Sequence, residues 1–270
     1  MSTRPRRLFR ILGVLCICAG AVLLGIAAAG QWTSWGKGHT YEKRDWERFD
    51  PSLVLRTPDY DALLAAVDQK LAGQPQDPAK LQAMYEVVVD RFTHEEALHT
   101  LASNWILYTA GFLHSTFRHV WSTDRLVTQG SSLLCDQASY LLLRLAREHG
   151  FKARHVGLQG HVVMEVWYDG DWHLYDPDLE VVPQDGAGKV LGLEDLARDE
   201  ALLQKYYGRH SNMADLIRAR ENHLFMSTPD GARFEWKGNI LALIEKATEW
   251  LKFLIPLGMI AGGWWLARKP

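Results

Sequence analysis

Cysteine is scarce in this chain, which has three among 270 residues. Cys16 and Cys18 lie in an apolar N-terminal run, where we interpret them as small apolar residues. Cys135 is therefore the single cysteine of the rest of the chain, and no intramolecular disulfide is expected there. A lone thiol of this kind is a reactive residue, an ordinary buried residue or a residue that pairs between chains.

The chain also lacks an excess of charge of one sign. It carries 30 Lys and Arg against 32 Asp and Glu, for a net charge of -2, and it has no basic stripe. Nucleic acid is therefore not an expected partner. Internal repeats and low-complexity tracts are missing, and a composition of 23% charged and 11% aromatic residues is not that of a disordered chain.

What the sequence does contain is a long apolar run near each end. Residues 11–29 carry no charge, follow four arginines and precede Trp32 and Trp35. This run is close to the roughly 20 residues that a membrane-spanning helix needs, and the tryptophans suit an interfacial belt. The alternative is a cleaved signal peptide, because residues 27–30 are small and Arg6-Arg7 faintly resembles a twin-arginine signal.

The second run, residues 250–267, is apolar except for Lys252. We predict a second spanning helix in which Lys252 snorkels toward the interface. Gly258 and Gly262 have a spacing that permits close packing against the first helix. The alternative is an interfacial helix, since the run is short and contains Pro256.

The positive residues outside both runs predict that both termini are cytoplasmic and that residues 31–248 lie on the far side of the membrane. Such a topology suits a bacterial inner membrane with a periplasmic domain. The predicted organisation is a tail and spanning helix at 1–30, a connector and helix at 31–78, a main domain at 79–248 with its core at 129–182, and a spanning helix and tail at 249–270.

The middle of the chain predicts an α+β domain, with helices followed by an antiparallel sheet. Ser131 or Ser132 is the expected cap of a central helix that stops at Gly150. Asp169-Gly170 is expected to join two strands of a hairpin. Other helices are predicted at 59–71, 79–92, 98–117 and 193–207, strands at 153–158, 162–168 and 172–176, a loop at 121–130 and a short hairpin at 225–236.

Cys135 falls in the first turn of the predicted central helix. The helix dipole favours an anion there, so we expect a lowered thiol pKa. His161, at the start of the first hairpin strand, is the expected base. With a two-residue loop, Val163 lies opposite Asp176, which places Asp176 one diagonal step from His161. Asp178 is the competing acid, directly opposite His161, but Pro177 is expected to end the ladder before it.

Four segments in this order resemble the transglutaminase-like superfamily, which has a papain-related fold. They are residues 129–138 (QGSSLLCDQA), 150–156 (GFKARHV), 160–166 (GHVVMEV) and 172–177 (WHLYDP). The resemblance spans about residues 79–182. It implies a papain/transglutaminase-like domain flanked by the two spanning helices.

The resemblance also implies roles: Cys135 as nucleophile, His161 as general base and acid, and Asp176 as the orienting acid. Gln129 is a candidate oxyanion donor by analogy with papain-like enzymes, although an ordinary loop residue is the competing interpretation. No cofactor is implied, and no acidic calcium loop is present. The chain departs from the family at Leu133, Asp136 and Val163, where the family commonly has Gly, Trp and Trp.

Metal binding by the remaining histidines is not expected. His94 and His99 flank a segment like a zinc-protease motif, but they are five residues apart instead of four and diverge on a helix. His114 and His119 share that spacing.

We therefore expect a membrane-anchored cysteine enzyme that acts on peptide or protein amide bonds in the cell envelope, by hydrolysis or by acyl transfer through a thioester. The alternative is a non-catalytic module of the same fold that serves as a membrane scaffold or binds peptides. A third interpretation is a protein whose Cys135 forms a disulfide with a partner protein.

Overall fold

The computed structural model describes residues 4–38, 42–74, 76–158, 160–210, 212–219 and 232–268. The described part of the chain is α+β, with 61% of its residues helical and two small sheets. Its helices are α1 (Arg4–Trp32), α2 (Pro51–Arg56), α3 (Tyr60–Leu71), α4 (Asp77–Arg91), α5 (Trp105–Ala110), α6 (Thr123–Gln129), α7 (Cys135–Glu148), α8 (Leu193–Arg198), α9 (Glu200–Tyr207), α10 (Met213–Ala219) and α11 (Ala232–Arg268).

The strands form a parallel pair and an antiparallel sheet of three. The strands are β1 (Thr93–His94), β2 (Ser132–Leu133), β3 (Lys152–Leu158), β4 (His161–Tyr168) and β5 (Asp171–Tyr175). In the larger sheet β4 lies between β3 and β5, so His161 begins the central strand.

The chain divides into two compact units. The first unit comprises Met1–Gly38, Leu98–Ser122 and Leu241–Pro270, and the second comprises His39–Ala97 and Thr123–Ile240. The sheets and all the predicted site residues belong to the second unit.

The second unit is built around α7, which packs against β3, β4 and α4. Leu141, Leu142 and Leu145 of α7 are completely buried. The other face of the sheet contributes Val156, Val163 and similar side chains to a cluster with α8, α9 and α10. The core therefore fixes both the start of α7 and the start of β4, the two places where site residues lie.

The β4–β5 hairpin has the predicted register. Tyr168 pairs with Asp171 and Met164 with Tyr175 across a two-residue turn. Asp169 and Gly170 have φ values of 49° and 81°, the left-handed conformation that such a turn requires. The ladder ends at Met164–Tyr175, one position before the predicted pairing of Val163 with Asp176, and Asp176 exchanges two backbone hydrogen bonds with Val181.

Several predicted boundaries in the helical half are wrong. The expected loop at 121–130 contains α6, and the expected helix at 98–117 is reduced to α5 and a 3-10 turn at Ser115–Phe117. Thr100 and Ser103 exchange side-chain and backbone hydrogen bonds ahead of α5, which gives that backbone a non-helical alternative.

Three further predictions need correction. Ser132 belongs to β2 and does not cap α7, whose N-cap is Leu134. The helix predicted at 193–207 is two helices, since Asp199 ends α8 and caps α9. Most of the hairpin predicted at 225–236 lies outside the described residues, and its last part, from Ala232, is helical.

α1 belongs to the first unit, and α11 belongs to it from Leu241 onward. Each of these helices contains a segment long and apolar enough to cross a membrane by length and composition. These segments are Arg7–Trp32, of mean hydropathy 2.7, and Glu235–Arg268, of mean hydropathy 1.3. Close packing of the two helices occurs at Gly13 and Gly263, where an added Cβ on either would collide with the carbonyl of the other. The prediction for Gly258 and Gly262 is wrong, because both face open space.

Lys252 does not snorkel, contrary to the prediction. Its side chain is 1% exposed, and Nζ donates to the Ser103 carbonyl at 2.8 Å, to Glu249 at 2.8 Å and to Gln31 at 3.2 Å. The ammonium is satisfied inside the first unit, which removes the drive to reach solvent.

Candidate active site

Cys135 is the first residue of α7, as the sequence predicted for a helix start. The side chain of Gln137 fixes this start: Oε1 accepts from the Leu134 N–H at 3.3 Å and from the Ala97 N–H at 2.8 Å, and Nε2 donates to the Ala97 carbonyl at 2.9 Å. Because a first helical residue has no intrahelical partner for its N–H, the backbone amide of Cys135 is a candidate donor to an oxyanion. The residue itself is 9% exposed.

His161 and Asp176 form a buried pair. His161 Nε2 lies 2.9 Å from Asp176 Oδ2, and the residues are 5% and 0% exposed. Asp176 Oδ2 also accepts from the Tyr207 hydroxyl at 3.0 Å, while Oδ1 accepts from the backbone amides of Asp178 and Leu179. Four donors thus hold this carboxylate in one orientation, and the carboxylate holds the imidazole.

Cys135 and Asp178 face His161 on another side. The Cys135 thiol lies within 4.8 Å of a ring nitrogen of His161. Asp178 Oδ2 lies 3.7 Å from His161 Nδ1. Ligand atoms of Cys135, His161 and Asp178 lie within 4.8 Å of one another, a cluster compatible with a catalytic triad. Since Nε2 is engaged by Asp176, Nδ1 is the ring nitrogen left for the thiol.

Asp178 contacts His94 as well as His161. The sequence indicated no role for His94, because its spacing from His99 does not suit a metal site. His94 Nδ1 lies 2.7 Å from Asp178 Oδ1 and 2.8 Å from its carbonyl oxygen. His94 ends β1 and reaches the site because β1 pairs with β2, next to the start of α7. The two acids weighed from the sequence therefore both contact His161, one on each ring nitrogen.

The electrostatics of the pair favour a protonated His161. Burial alone would lower the pKa of His161, but the Asp176 carboxylate and the contact with Cys135 hold it well above its usual value. Burial would likewise raise the pKa of Asp176, and the charge of His161 reverses this and lowers it. Asp176 is thus a carboxylate and His161 an imidazolium at neutral pH.

Cys135 departs from the expected lowered pKa. Burial raises the pKa of the thiol, and this effect exceeds the lowering by the neighbouring His161. The negative charges of Asp178 and Asp136 raise it further. The expectation considered only the helix dipole, and burial and neighbouring carboxylates are not visible in a helix-position argument.

Other residues singled out in the sequence have different places. Gln129 is buried at the end of α6 and does not line the cleft at Cys135. Glu165 is 1% exposed, binds Arg154 at 2.6 Å and accepts from the Leu193 N–H at 2.8 Å, so its part is structural. Tyr207 was missed because it belongs to the C-terminal region, where the pattern of apolar residues gave no sign of a contact with Asp176.

An open cleft of about 430 Å³ leads to the thiol. It is bordered by residues from β1, the start of α7, the β3–β4 turn and the segment after α9. These residues are His94, Leu134, Cys135, Gly160, His161, Asp178, Leu179, Arg209, His210 and Met213.

The same cluster has the donors of a metal site. A thiolate, an imidazole and a carboxylate are the ligand types of zinc, and Asp176 would orient His161 from behind, as carboxylates do in zinc sites. Cys135, His161 and Asp178 would hold the ion, but a separation of up to 4.8 Å exceeds the roughly 3.3–3.8 Å between ligands of tetrahedral zinc. The cluster would have to contract to bind it.

The resemblance to the transglutaminase-like superfamily rests on the residues of this chain alone. No protein-family model, no curated protein and no solved structure matches this sequence or fold. What the structure adds to the four sequence segments is a Cys–His–Asp cluster in an α+β domain and two apolar helices of membrane length.

Proposed function

We propose that this protein is a membrane-anchored cysteine enzyme of the transglutaminase-like type, which cleaves or transfers peptide or protein amides through a thioester. The observation that carries the proposal is a group of three side chains at an open cleft: the Cys135 thiol lies within 4.8 Å of a ring nitrogen of His161, whose Nε2 lies 2.9 Å from a fully buried carboxylate, Asp176. Such a group is the arrangement by which a weak nucleophile is activated and its base oriented.

In the proposed reaction, His161 Nδ1 takes the proton of the Cys135 thiol as Sγ attacks the amide carbon. The C–N bond then breaks, Nδ1 returns the proton to the leaving amine, and a thioester remains on Sγ. Water or a second amine attacks the thioester, giving an acid or a new amide and restoring the thiol. Asp176 stabilises the imidazolium that forms in both steps, and the Cys135 backbone N–H is the proposed donor to the oxyanion.

The resting protonation state makes the reaction dependent on pH. With His161 protonated and Cys135 a thiol, one proton must leave before Nδ1 can act as a base. The active form therefore increases as pH rises from neutral, with an apparent pKa that belongs to the pair and not to either residue.

The proposed location follows from the two apolar helices. Both termini would be cytoplasmic, because the positive residues flank the spans on that side, and the second unit would lie in the periplasm of a bacterial cell. Substrates would then be peptides or proteins of the cell envelope, and membrane proteins are candidate partners.

A specific observation favours the second candidate, a non-catalytic module that acts as a membrane scaffold or binds peptides. Burial and two neighbouring carboxylates raise the pKa of Cys135, and a thiol of raised pKa is a poorer nucleophile at neutral pH. The same cleft would then hold a peptide without cleaving it.

The test is a search for turnover that depends on both residues of the pair. The full chain in detergent is incubated at pH 8 with a digest of envelope proteins and dansylcadaverine. Mass spectrometry then scores new peptide termini and incorporated amine. The proposal expects products with the wild type and none with Cys135→Ser or His161→Ala. Equal results for all three folded proteins would favour the scaffold.

A further inference from the structure

Arg209 is an exposed cation at the cleft that the proposed chemistry does not use. It follows α9 and lines the same cleft as Cys135 and His161. Its side chain is directed by a hydrogen bond from Nε to His210 Nε2 at 2.9 Å. Within the part of the chain that the structure describes, Arg209 forms no ion pair with a carboxylate.

His210 is a fixed and uncharged anchor for this guanidinium. Its ring packs edge-on against Trp46, with centroids 6.0 Å apart, and against Tyr207 at 6.4 Å. Burial lowers the pKa of His210, and the charge of Arg209 lowers it further, so Nε2 is available as an acceptor. With Nε occupied in this way, the two Nη groups of Arg209 remain as a pair of parallel donors.

The charges around the cleft leave the position open to an anion. Besides Arg209, the titratable side chains that border the cleft are His94, His161, His210, Cys135 and Asp178. Asp178 is the only carboxylate among these lining residues, and its oxygens face His94 and His161. No acid of the lining therefore competes for Arg209.

We propose that Arg209 binds a carboxylate of the substrate and so selects acyl donors with an acidic group near the amide that Cys135 attacks. A guanidinium with two free, parallel N–H groups matches a carboxylate in charge and in geometry. The inference rests on the proposed function for its substrate, but the anion site itself does not require turnover.

Two small alkylating reagents test the site without a known substrate. Iodoacetate and iodoacetamide both transfer a two-carbon group to a thiolate and release iodide, and they differ in a carboxylate against a neutral amide. The rate of each is measured at Cys135 in the full chain carrying Cys16→Ser and Cys18→Ser, at pH 8 and low salt. The measured quantity is the ratio of the iodoacetate rate to the iodoacetamide rate, so a general change in thiol pKa cancels.

The expected result is a ratio about three- to tenfold lower in Arg209→Gln, with part of the loss reproduced by salt in the unsubstituted protein, because salt screens exposed charges. Arg198→Gln is the control: it removes another exposed arginine, in α8, which pairs with Glu194 and does not line the cleft. It should keep the wild-type ratio.

Equal ratios in the wild type, Arg209→Gln and Arg198→Gln would overturn the proposal, as would equal losses in both variants. Failure of the anion-site proposal can be distinguished from failure of the enzyme proposal. If Arg209 alters the ratio while His161→Ala leaves iodoacetamide labelling unchanged, the anion site stands and the thiol enzyme fails.

Discussion

His161 lies between two acids, Asp176 and Asp178, which differ in their hydrogen bonds and in the direction of their pKa shifts. Asp176 is fully buried, accepts four hydrogen bonds and has a lowered pKa in spite of burial, because His161 opposes the effect of burial. Asp178 has a pKa raised by burial and is shared with His94. The first suits an orienting carboxylate, and the second is a charge placed close to the thiol.

Neutralising each acid should therefore shift the reactivity of Cys135 in opposite directions. Asp178→Asn removes a charge that raises the thiol pKa, so the pH profile of iodoacetamide labelling should move to lower pH by about 0.5–1 unit. Asp176→Asn removes the charge that raises the pKa of His161, so less imidazolium is present to stabilise the thiolate and the profile should move to higher pH. Shifts of the same sign would contradict this division of roles.

The pair also predicts how stability depends on pH. Asp176 has a lowered folded pKa, so its contribution is present above about pH 3.9 and is lost as pH falls through the folded value. His161 has a raised folded pKa, so its contribution is complete below about pH 6.5 and is lost as pH rises through the folded value.

The difference in unfolding free energy between the wild type and Asp176→Asn should consequently be largest between about pH 4 and 6.5 and shrink on either side. Thermal unfolding of the detergent-solubilised chain, followed by near-ultraviolet circular dichroism, measures it. A difference that does not vary with pH would mean that the pair is not charged in the folded protein.

The positions of site residues could be predicted from the sequence where the residues nearby in the chain determine them. Cys135 at a helix start and His161 at a strand start followed from periodicity, and the contact of His161 with Asp176 followed from the hairpin register. Partners contributed by distant segments, such as His94 and Tyr207, could not be predicted, because no local pattern encodes a contact between residues far apart in the chain.

At the scale of elements, the sheet is joined to the start of α8 by Glu165, which also forms a buried ion pair within the sheet. Glu165 of β4 binds Arg154 of β3 and also accepts the Leu193 N–H, and Arg154 stacks on Trp172 with 3.9 Å from its central carbon to the ring centroid. Arg154, Glu165 and Trp172 belong to the segments that resemble the transglutaminase-like family, and their role here is to hold the sheet on which His161 lies.

Glu165→Ala should lower the unfolding free energy by about 3–5 kcal/mol, because it leaves Arg154 unpaired and largely buried. Asp171→Ala is the matched control: Asp171 is in the same sheet, and the substitution breaks its exposed pair with Lys189, which should cost about 1 kcal/mol or less. Urea unfolding of both variants measures the two losses. Similar losses would show that the burial of the Glu165–Arg154 pair does not determine its contribution to the unfolding free energy.

The sheet could be predicted better than the helical half, because the sheet depends on a local turn and the helices depend on contacts between distant residues. The hairpin depends on a local signal, the left-handed Asp169-Gly170 turn, and its register follows from that turn. The start of α7 depends on Gln137 reaching the backbone of Ala97, and α6 lies where polar residues suggested a loop. Tertiary contacts of this kind override local propensity.

At the scale of the whole molecule, two apolar helices are the features that bear on location. Their close approach at Gly13 and Gly263 excludes side chains larger than hydrogen at these positions. The sequence signalled both helices by length and hydropathy, but it did not indicate which glycines face the partner helix, because the rotation of each helix is set by packing.

Reporters fused at the two ends test the proposed topology. A fusion before Met1 and a fusion after Pro270 should both read as cytoplasmic, and a reporter inserted in the 220–231 segment should read as external, because the positive flanks are retained inside. An external reading at Pro270 would leave a single spanning helix and would change the compartment of the cleft.

The most direct test of the central claim is the pH dependence of iodoacetamide labelling at Cys135, in the Cys16→Ser, Cys18→Ser background, with and without His161→Ala. If the two residues form a reactive pair, removal of the imidazolium raises the thiol pKa. The variant's profile should then move to higher pH by about one unit, with an about tenfold lower rate at neutral pH. Superimposed profiles would contradict the account and leave the cleft as a binding site without a nucleophile.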